Sequence, residues 1–229
     1  MRKIINYLFE SKKVFAQGIC KEKLFFIFLF GCVFGCVYEE LLNVGFAYIN
    51  NYPIEWVTRR GLIYGELSPV YGIGAVTLVY ILCRRERAWY KNYMLGALAG
   101  GSIEYVTSFM QEKIFGTISW DYSGYLLSVG GRTTVPFMLF WGLLALLMVY
   151  IIYPLLSNII EKIPYNLGMI LYKVLFVLVF IDIFISFGAA VRQAFRRLGL
   201  KPFSPLGEFF DKYYFDERLA RVYNNAIVK

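Results

Sequence analysis

Apolar residues in this chain fall into long runs, and polar residues gather between the runs. Five runs approach the length that a helix needs to cross a bilayer, about 20 residues. Glu66 and Glu104 interrupt the second and third runs, which are the least apolar. The pattern predicts an all-α fold, a polytopic membrane helical bundle of about five spans: approximately Leu24–Leu42, Leu62–Cys83, Tyr93–Phe109, Pro136–Leu156 and Leu167–Ala190.

The segments on both sides of these runs are basic and amphipathic. The lysines of the N-terminal segment, among them Lys12, Lys13, Lys21 and Lys23, predict an amphipathic stretch that lies on the membrane surface. The expected regions are an N-terminal basic amphipathic segment (1–23), a transmembrane bundle (24–190) and an amphipathic C-terminal tail (191–229).

The tail itself has a readable pattern. A basic helix that continues the last span is expected to stop at Gly199. Ser204 and Pro205 then predict the N-cap and first turn of one more helix over Leu206–Asn224. Aromatic and aliphatic residues line one side of that helix, so we expect it to lie on the membrane or on the bundle.

The first and third spans share one spacing of small and acidic residues. Gly31-xxx-Gly35-xxx-Glu39 recurs as Gly96-xxx-Gly100-xxx-Glu104, with an offset of 65 residues, and Asn43 and Ser108 extend the two stripes. The repeat predicts two units of two spans each, in a parallel duplication about an axis along the membrane normal. Chance is the alternative, because Gly-xxx-Gly is common where membrane helices pack closely. The stripes also predict that the first and third helices contact each other.

Basic residues indicate an orientation. If the N-terminus is cytoplasmic, eleven Lys and Arg residues lie inside and four lie outside, counted up to the fifth span. Eight more basic residues in the tail would then lie outside if all five runs span. Either the tail is exported or one run is re-entrant, and the sequence leaves both open.

Composition excludes several kinds of catalytic and metal-binding site. The chain has 229 residues, 59% of them apolar, a mean hydropathy of +0.54 and no histidine. The lack of histidine excludes His-ligated zinc, Ser-His-Asp and Cys-His nucleophiles. The four cysteines have no metal-binding spacing, so we expect free thiols, no metal and no cofactor. The basic residues that produce the net charge of +8 lie at the edges of apolar runs. This fits contact with a lipid bilayer and not with nucleic acid.

Charged and aromatic residues near the outer ends of the spans predict one polar chamber. A charge inside a span costs about 2.5–3.5 kcal/mol by insertion scales, so it needs a partner or a watery cavity. We expect Glu39 and Glu104 to face Arg60 and Arg132, and Arg132 to face Glu104 first. Structural ion pairs that close the bundle are an equal alternative. The full candidate set for the chamber is Glu39, Arg60, Tyr64, Tyr71, Glu104, Ser108, Glu112, Trp120, Asp121, Tyr122, Arg132 and Asp182.

Short motifs run from about Gly35 to Ser186, and the Trp-Asp-Tyr-Ser block is the most specific of them. They are Tyr38-Glu39, Arg60-Gly61, Tyr64-Gly65, Pro69–Gly74, Glu104–Ser108, Glu112–Gly116, Trp120–Ser123, Gly131-Arg132, Trp141-Gly142 and Asp182 with Ser186. In these motifs the chain resembles a bacterial family of type IV ABC-transporter permeases. The resemblance implies a multi-pass cell-membrane transport protein for an unknown solute or lipid. Because the chain has no nucleotide-binding motif, its ATPase would be a separate subunit.

Three functional interpretations remain open from the sequence. A transporter subunit with five spans would require a homodimer as well as the ATPase. A membrane-embedded enzyme would use Glu39, Glu104 or Asp121 as acid or base on a lipid or lipid-linked substrate, with arginines holding its phosphate. A non-catalytic assembly or sensor partner is the third. We adopt the transporter interpretation.

Overall fold

The computed structural model describes residues 13–229, and the first half of the N-terminal basic amphipathic segment lies outside this range. The helical elements are α1 (Lys21–Ile49), α2 (Pro69–Leu82), α3 (Trp89–Phe115), α4 (Val135–Leu147), a π-turn (Met148–Ile152), α5 (Tyr153–Glu161), α6 (Tyr165–Arg197), α7 (Pro205–Tyr213) and α8 (Asp216–Val222). The strands are β1 (Thr117–Ile118), β2 (Ser128–Val129), β3 (Thr133–Thr134) and β4 (Ile227–Val228). Two antiparallel pairs form, β1 with β4 and β2 with β3.

The predicted all-α bundle is confirmed. Three helical stretches are long and apolar enough to cross a membrane: Lys21–Ile49, Val135–Glu161, which runs through α4, the π-turn and α5, and Tyr165–Arg197. Pro69–Leu82 is a shorter apolar helix. The π-turn directly precedes Pro154, whose missing N–H cannot complete the α-helical ladder. A count of five crossings stays a prediction.

Five helical stretches of the described residues correspond to the five predicted spans: α1, α2, α3, α4–α5 and α6. At the end where α1 starts, Val14 pairs with Pro164, and Phe25 packs on Tyr172 of α6. We call this the N-terminal end. A core of buried apolar residues fills it, contributed by the segment before α1 and by α1, α2, α4, the π-turn and α5. The loops Asn50–Ser68 and Gly116–Thr134 lie at the opposite end, which we call the loop end.

The predicted start of the second span is wrong. The apolar run begins at Leu62, but the helix begins only at Pro69, with Ser68 as its N-cap residue. The preceding segment is irregular, and side chains and backbone of other helices satisfy its N–H groups. Ile63 N donates to Ser186 Oγ at 2.9 Å, and Ser68 N donates to the Cys32 carbonyl at 3.0 Å. Non-helical backbone at this depth requires such partners, because lipid offers none.

The two predicted units appear as two helical hairpins, α1–α2 and α3–α4, with matching contacts. A Cβ added at Gly35 would meet the Tyr71 ring at 2.0 Å, and one at Gly100 would meet the Trp141 ring at 2.1 Å. Similarly, Gly31 faces Ala75 and Gly96 faces Ala145. Each glycine stripe therefore packs on the second helix of its own hairpin, and the expected contact of the first and third helices through these stripes is wrong.

The N-terminal segment is tied to the bundle by one of its predicted surface lysines. Residues 13–20 are irregular, and Lys23 is fully buried. The Lys23 ammonium pairs with Glu161 and donates to Ser157 Oγ at 2.5 Å, which ties the start of α1 to α5. A buried lysine needs such a partner, since an unpaired charge there would be strongly unfavourable.

The tail forms two helices where one was expected. α6 ends at Arg197, and Gly199 with φ +72° follows, as the sequence predicts. Ser204 Oγ caps α7 by accepting from Gly207 N at 3.2 Å. The helix then breaks at Tyr214, and α8 runs from Asp216 to Val222. The tail packs at the loop end, where its apolar residues and Ile63 and Ala189 form a second core: Phe210, Tyr214, Leu219 and Val222.

Candidate functional site

The first hairpin carries two adjacent glutamates near the loop end. Glu39 Oε1 accepts a hydrogen bond of 2.7 Å from the Tyr71 hydroxyl. Glu40 is 2% exposed, and its Oε1 accepts from the backbone N–H of Arg59 at 3.2 Å. The Arg59 guanidinium donates to Asn43 Oδ1 at 2.9 Å and interacts electrostatically with Glu39. One turn of α1 and one arginine thus form a connected polar group.

The second hairpin has the equivalent arrangement. Glu104 Oε2 accepts from Thr133 Oγ1 at 2.7 Å, and the Trp141 side chain also interacts with the same carboxylate. The Arg132 guanidinium donates to Ser108 Oγ at 3.2 Å. Ser108 lies at the position of α3 that corresponds to Asn43 in α1, so each hairpin uses the same helix position to hold an arginine from the following loop.

The two hairpins meet through aromatic rings between the two glutamates. The ring centroids of Tyr71 and Trp141 are 6.5 Å apart. Tyr71 interacts electrostatically with Glu104 as well as with Glu39, and Tyr122 interacts with both carboxylates. Burial, together with these negative charges, raises the pKa of the Tyr122 phenol well above its ordinary value. These five residues form what we call the paired-glutamate cluster.

The arginines do not pair with the two glutamates as expected. The Arg132 guanidinium forms its ion pair with Glu112, at 2.5 Å, and lies 5.3 Å from the Phe109 ring centroid. Arg60 Nη1 lies 3.9 Å from Glu66 Oε1. Among the described residues, Glu104 is therefore held by neutral donors. The expected pairing of Arg132 with Glu104 is wrong because Thr133 donates to Glu104, whereas Arg132 contacts Ser108 and Glu112 one and two turns further along α3.

Asp182, Tyr64 and Arg60 belong to a second group, around the irregular segment. Asp182 Oδ1 accepts from Tyr64 N at 3.2 Å and from Ser186 Oγ at 3.0 Å. The Tyr64 hydroxyl lies 2.9 Å from the hydroxyl of Tyr214 in the tail. Arg60 interacts electrostatically with Asp182. Asp182 therefore has a structural task in this group, which is to hold the irregular backbone against α6.

Trp120 and Asp121 shape the loop that covers the second hairpin. The Trp120 indole donates to the Arg132 carbonyl at 2.8 Å. Asp121 Oδ1 accepts from Ser123 N and Oγ at 2.9 and 2.5 Å. These hydrogen bonds, with Lys229 nearby, lower the pKa of Asp121 to about 2. A carboxyl group that is ionised at neutral pH is poorly suited to act as a general acid.

One group among the described residues could hold a metal ion. The Cys36 sulfur and carboxylate oxygens of Glu40 and Glu66 lie within 4.8 Å of one another. Cys36 Sγ is 3.5 Å from an oxygen of each glutamate, and Thr58 Oγ1 donates to Glu66 at 2.7 Å. Thiol-to-carboxylate hydrogen bonds account for these distances without an ion.

The candidate set for the chamber lacks four residues that complete these groups: Arg59, Thr133, Trp141 and Cys36. The role of Trp141 follows from its equivalence to Tyr71, but the offset between them is 70 residues, whereas the glycine stripes repeat at 65. The different lengths of the two connecting loops hide this part of the repeat. Thr133 carries no signal of its own in the sequence.

The fold and the polar core define a multi-pass membrane protein built from two equivalent hairpins and an additional long helix. Residues 26–187, more than two thirds of the chain, match the family described as Putative ABC-transporter type IV. The chain belongs to this family, which confirms the resemblance seen in its motifs. Comparison with curated proteins and with solved structures gives no match.

Proposed function

We propose that this protein is the membrane-spanning subunit of an ABC-type transporter, with the paired-glutamate cluster on its solute pathway. The observation that carries the proposal is the equivalence of Glu39 and Glu104. Each lies at the same position of a duplicated hairpin and interacts with the aromatic residue at the same position of the next helix. Tyr71 donates a hydrogen bond to Glu39, and the Trp141 side chain interacts with Glu104. Many transporters place their binding sites between two such repeats.

Physical chemistry supports a functional role for these carboxylates. An ionisable group inside a membrane bundle is unfavourable unless it is paired or hydrated, and such groups commonly mark solute or ion pathways. Arg59 interacts with Glu39, whereas the described partners of Glu104 are Thr133 and Trp141. A structural ion pair would instead place a cation against each carboxylate. The substrate-binding set that we propose keeps Glu39, Tyr71, Glu104 and Tyr122 at its centre.

The remaining candidates have supporting positions in this proposal. Ser108, Glu112 and Arg132 fix the loop above the second hairpin, and Trp120 and Asp121 fix that loop's conformation. Arg60, Tyr64 and Asp182 fix the irregular segment above the first hairpin. Variants at these positions should alter access or stability before they alter solute binding.

The partners follow from the family and from the sequence. The chain contains no Gly-Lys-Ser/Thr phosphate loop, so ATP hydrolysis requires a separate ATPase subunit. The exposed Arg84–Lys91 loop at the N-terminal end offers that subunit a basic surface. Two copies of a chain with five passes would provide ten helices around a pathway, so we also propose a homodimer in the cell membrane.

The orientation that fits this arrangement has the N-terminal end in the cytoplasm. Six basic residues precede or begin α1, and the positive-inside rule gives most weight to short flanks and the first span. The tail adds eight basic residues to the four at the loop end, but Arg192 and Arg196 are paired with Asp211. Their charge is therefore partly neutralised within the protein.

Co-purification tests the proposal most directly. An affinity-tagged chain, extracted in mild detergent from its native membrane, should bring down a protein with ATPase motifs, and the complex should hydrolyse ATP. Glu39→Gln and Glu104→Gln should change the ATPase rate of the reconstituted complex while the melting temperature stays near that of the wild type. Glu217→Gln, on the exposed side of α8, is the matched control and should leave the rate unchanged. Purification without any ATPase would contradict the transporter assignment.

A further inference from the structure

The C-terminal tail contacts both loops that cover the paired-glutamate cluster. On the first hairpin, Asn224 Nδ2 donates to the Thr58 carbonyl at 2.8 Å. On the second, β4 pairs with β1, and Lys229 N donates to the Gly116 carbonyl at 3.0 Å. One continuous segment of chain thus joins the outer loops of the two hairpins.

The two ends of the tail are held with different strength. At its start, Phe210 packs so closely on α6 that a Cβ at Gly188 would lie 2.4 Å from its ring. Arg192 forms two hydrogen bonds of 2.8 Å with Asp211, and Arg196 adds a third of 2.6 Å. Buried apolar contacts and charge-assisted hydrogen bonds make this a firm anchor.

Fewer and weaker contacts hold the far end of the tail. β1 and β4 have two residues each, and the side chains of β4, Ile227 and Val228, are more than half exposed. The ion pair of Lys229 with Asp121 spans 3.4 Å between two partly exposed side chains. Short strands with exposed side chains open at low free-energy cost compared with a buried core.

We propose that residues 224–229 form a releasable strap that closes the loop end of the protein. Anchored through α7 and the buried residues of α8, the strap holds the loops of residues 50–68 and 116–134 together over the paired-glutamate cluster. Its release at β4 frees β1 and Asp121, at the start of the second loop, and admits water and solute between the two loops to Glu39 and Glu104. The role in admitting solute rests on the proposed transport function, whereas the closure itself does not.

A disulfide across β1 and β4 tests the strap. Thr117 and Val228 are direct partners in this antiparallel pair, and such partners have a Cα separation that a disulfide can bridge. In a background with the four native cysteines replaced by alanine, Thr117→Cys with Val228→Cys should oxidise to lock the strap. The readout is modification of carboxylates by a water-soluble carbodiimide with glycine ethyl ester, quantified by mass spectrometry on the protein in lipid nanodiscs.

The oxidised double variant should lose most of the labelling at Glu39 and Glu104, and reduction should restore it. Labelling of Glu217 and Glu86, both exposed, should not change, and the two single-cysteine variants should label like the background. Equal labelling at Glu39 and Glu104 before and after reduction would overturn the strap, and so would failure of the disulfide to form. Because the readout needs neither solute nor ATPase, a protein with a working strap but no ATPase partner would contradict only the transport function.

Discussion

At the scale of single residues, the equivalence of the two hairpins depends on steric room. Tyr71 and Trp141 reach the glutamates because the helix opposite each ring has no side chain at Gly35 and Gly100. Small residues allow close approach of membrane helices, where packing and hydrogen bonds replace the hydrophobic driving force. The glycine stripe and the paired-glutamate cluster therefore depend on each other, because the glycines leave room for the aromatic side chains that interact with the carboxylates.

This dependence predicts the effect of adding one methyl group. Gly100→Ala places a Cβ within 2.1 Å of Trp141, which must move, so we expect a loss of about 1–3 kcal/mol in stability, typical of an overpacked interior. Gly45→Ala is the matched control, because among the described residues nothing lies within 4 Å of the added atom. Its higher helix propensity should leave stability equal or up to about 1 kcal/mol greater. Thermal unfolding in detergent measures both, and equal melting temperatures would contradict the tight contact.

Charge pairing predicts which glutamate is coupled to Arg132. The Arg132–Glu112 ion pair is 15% and 27% exposed, so its removal should show measurable coupling in a double-mutant cycle. The cycle of Arg132→Ala with Glu112→Gln should be non-additive in melting temperature. The cycle of Arg132→Ala with Glu104→Gln should be additive within error. The reverse result would restore the pairing that the sequence alone suggests.

At the scale of elements, local signals could be predicted and long-range partners could not. The stop of α6 at Gly199 and the cap at Ser204 follow from backbone and capping preferences of a few neighbouring residues, and both are confirmed. The apolar residues Leu62 and Ile63 predict a span that starts at Leu62, but α2 starts only at Pro69. The backbone N–H groups of Ile63 and Tyr64 instead donate to Ser186 and Asp182, more than a hundred residues away, and no local pattern reveals that.

The anchor of the tail predicts a dependence on pH. Hydrogen bonds from Arg192, with a further one from Arg196, hold the pKa of Asp211 below its ordinary value of about 3.9. A lowered folded-state pKa gives stability that is present above that ordinary value and is lost as pH falls through the folded value. Asp211→Asn should therefore lower the melting temperature at pH 7.

The difference between Asp211→Asn and the wild type should shrink as the pH falls below 4. Asp216→Asn is the matched control, since Asp216 is exposed and contacts Arg196 from its solvent side. It should change the melting temperature little at either pH. A pH-independent difference for Asp211→Asn would show that shape, and not charge, anchors α7.

At the scale of the whole molecule, the two-unit architecture could be predicted from the spacing of glycine and glutamate, but the placement of the units could not. Gly-xxx-Gly indicates that a helix has a close neighbour without indicating which one, and here the neighbour is the next helix in the chain. The sequence also leaves open on which side of the membrane the tail lies. Its contacts with Thr58 and Gly116 place it at the loop end, which agrees with the predicted five spans.

An odd number of passes gives a labelling pattern that does not depend on knowing the substrate. In a cysteine-free background, single cysteines at Ala88, Gly124 and Lys201 would report the N-terminal end, the second outer loop and the tail, and all three positions are exposed. With the N-terminal end in the cytoplasm, a membrane-impermeant maleimide added to intact cells should label Gly124→Cys and Lys201→Cys but not Ala88→Cys. Lysed cells should label all three, which controls for reactivity. Labelling of Ala88→Cys alone would reverse the orientation proposed from the flanks of α1. Labelling of only one of the other two would contradict the common placement of loop and tail, and with it the strap.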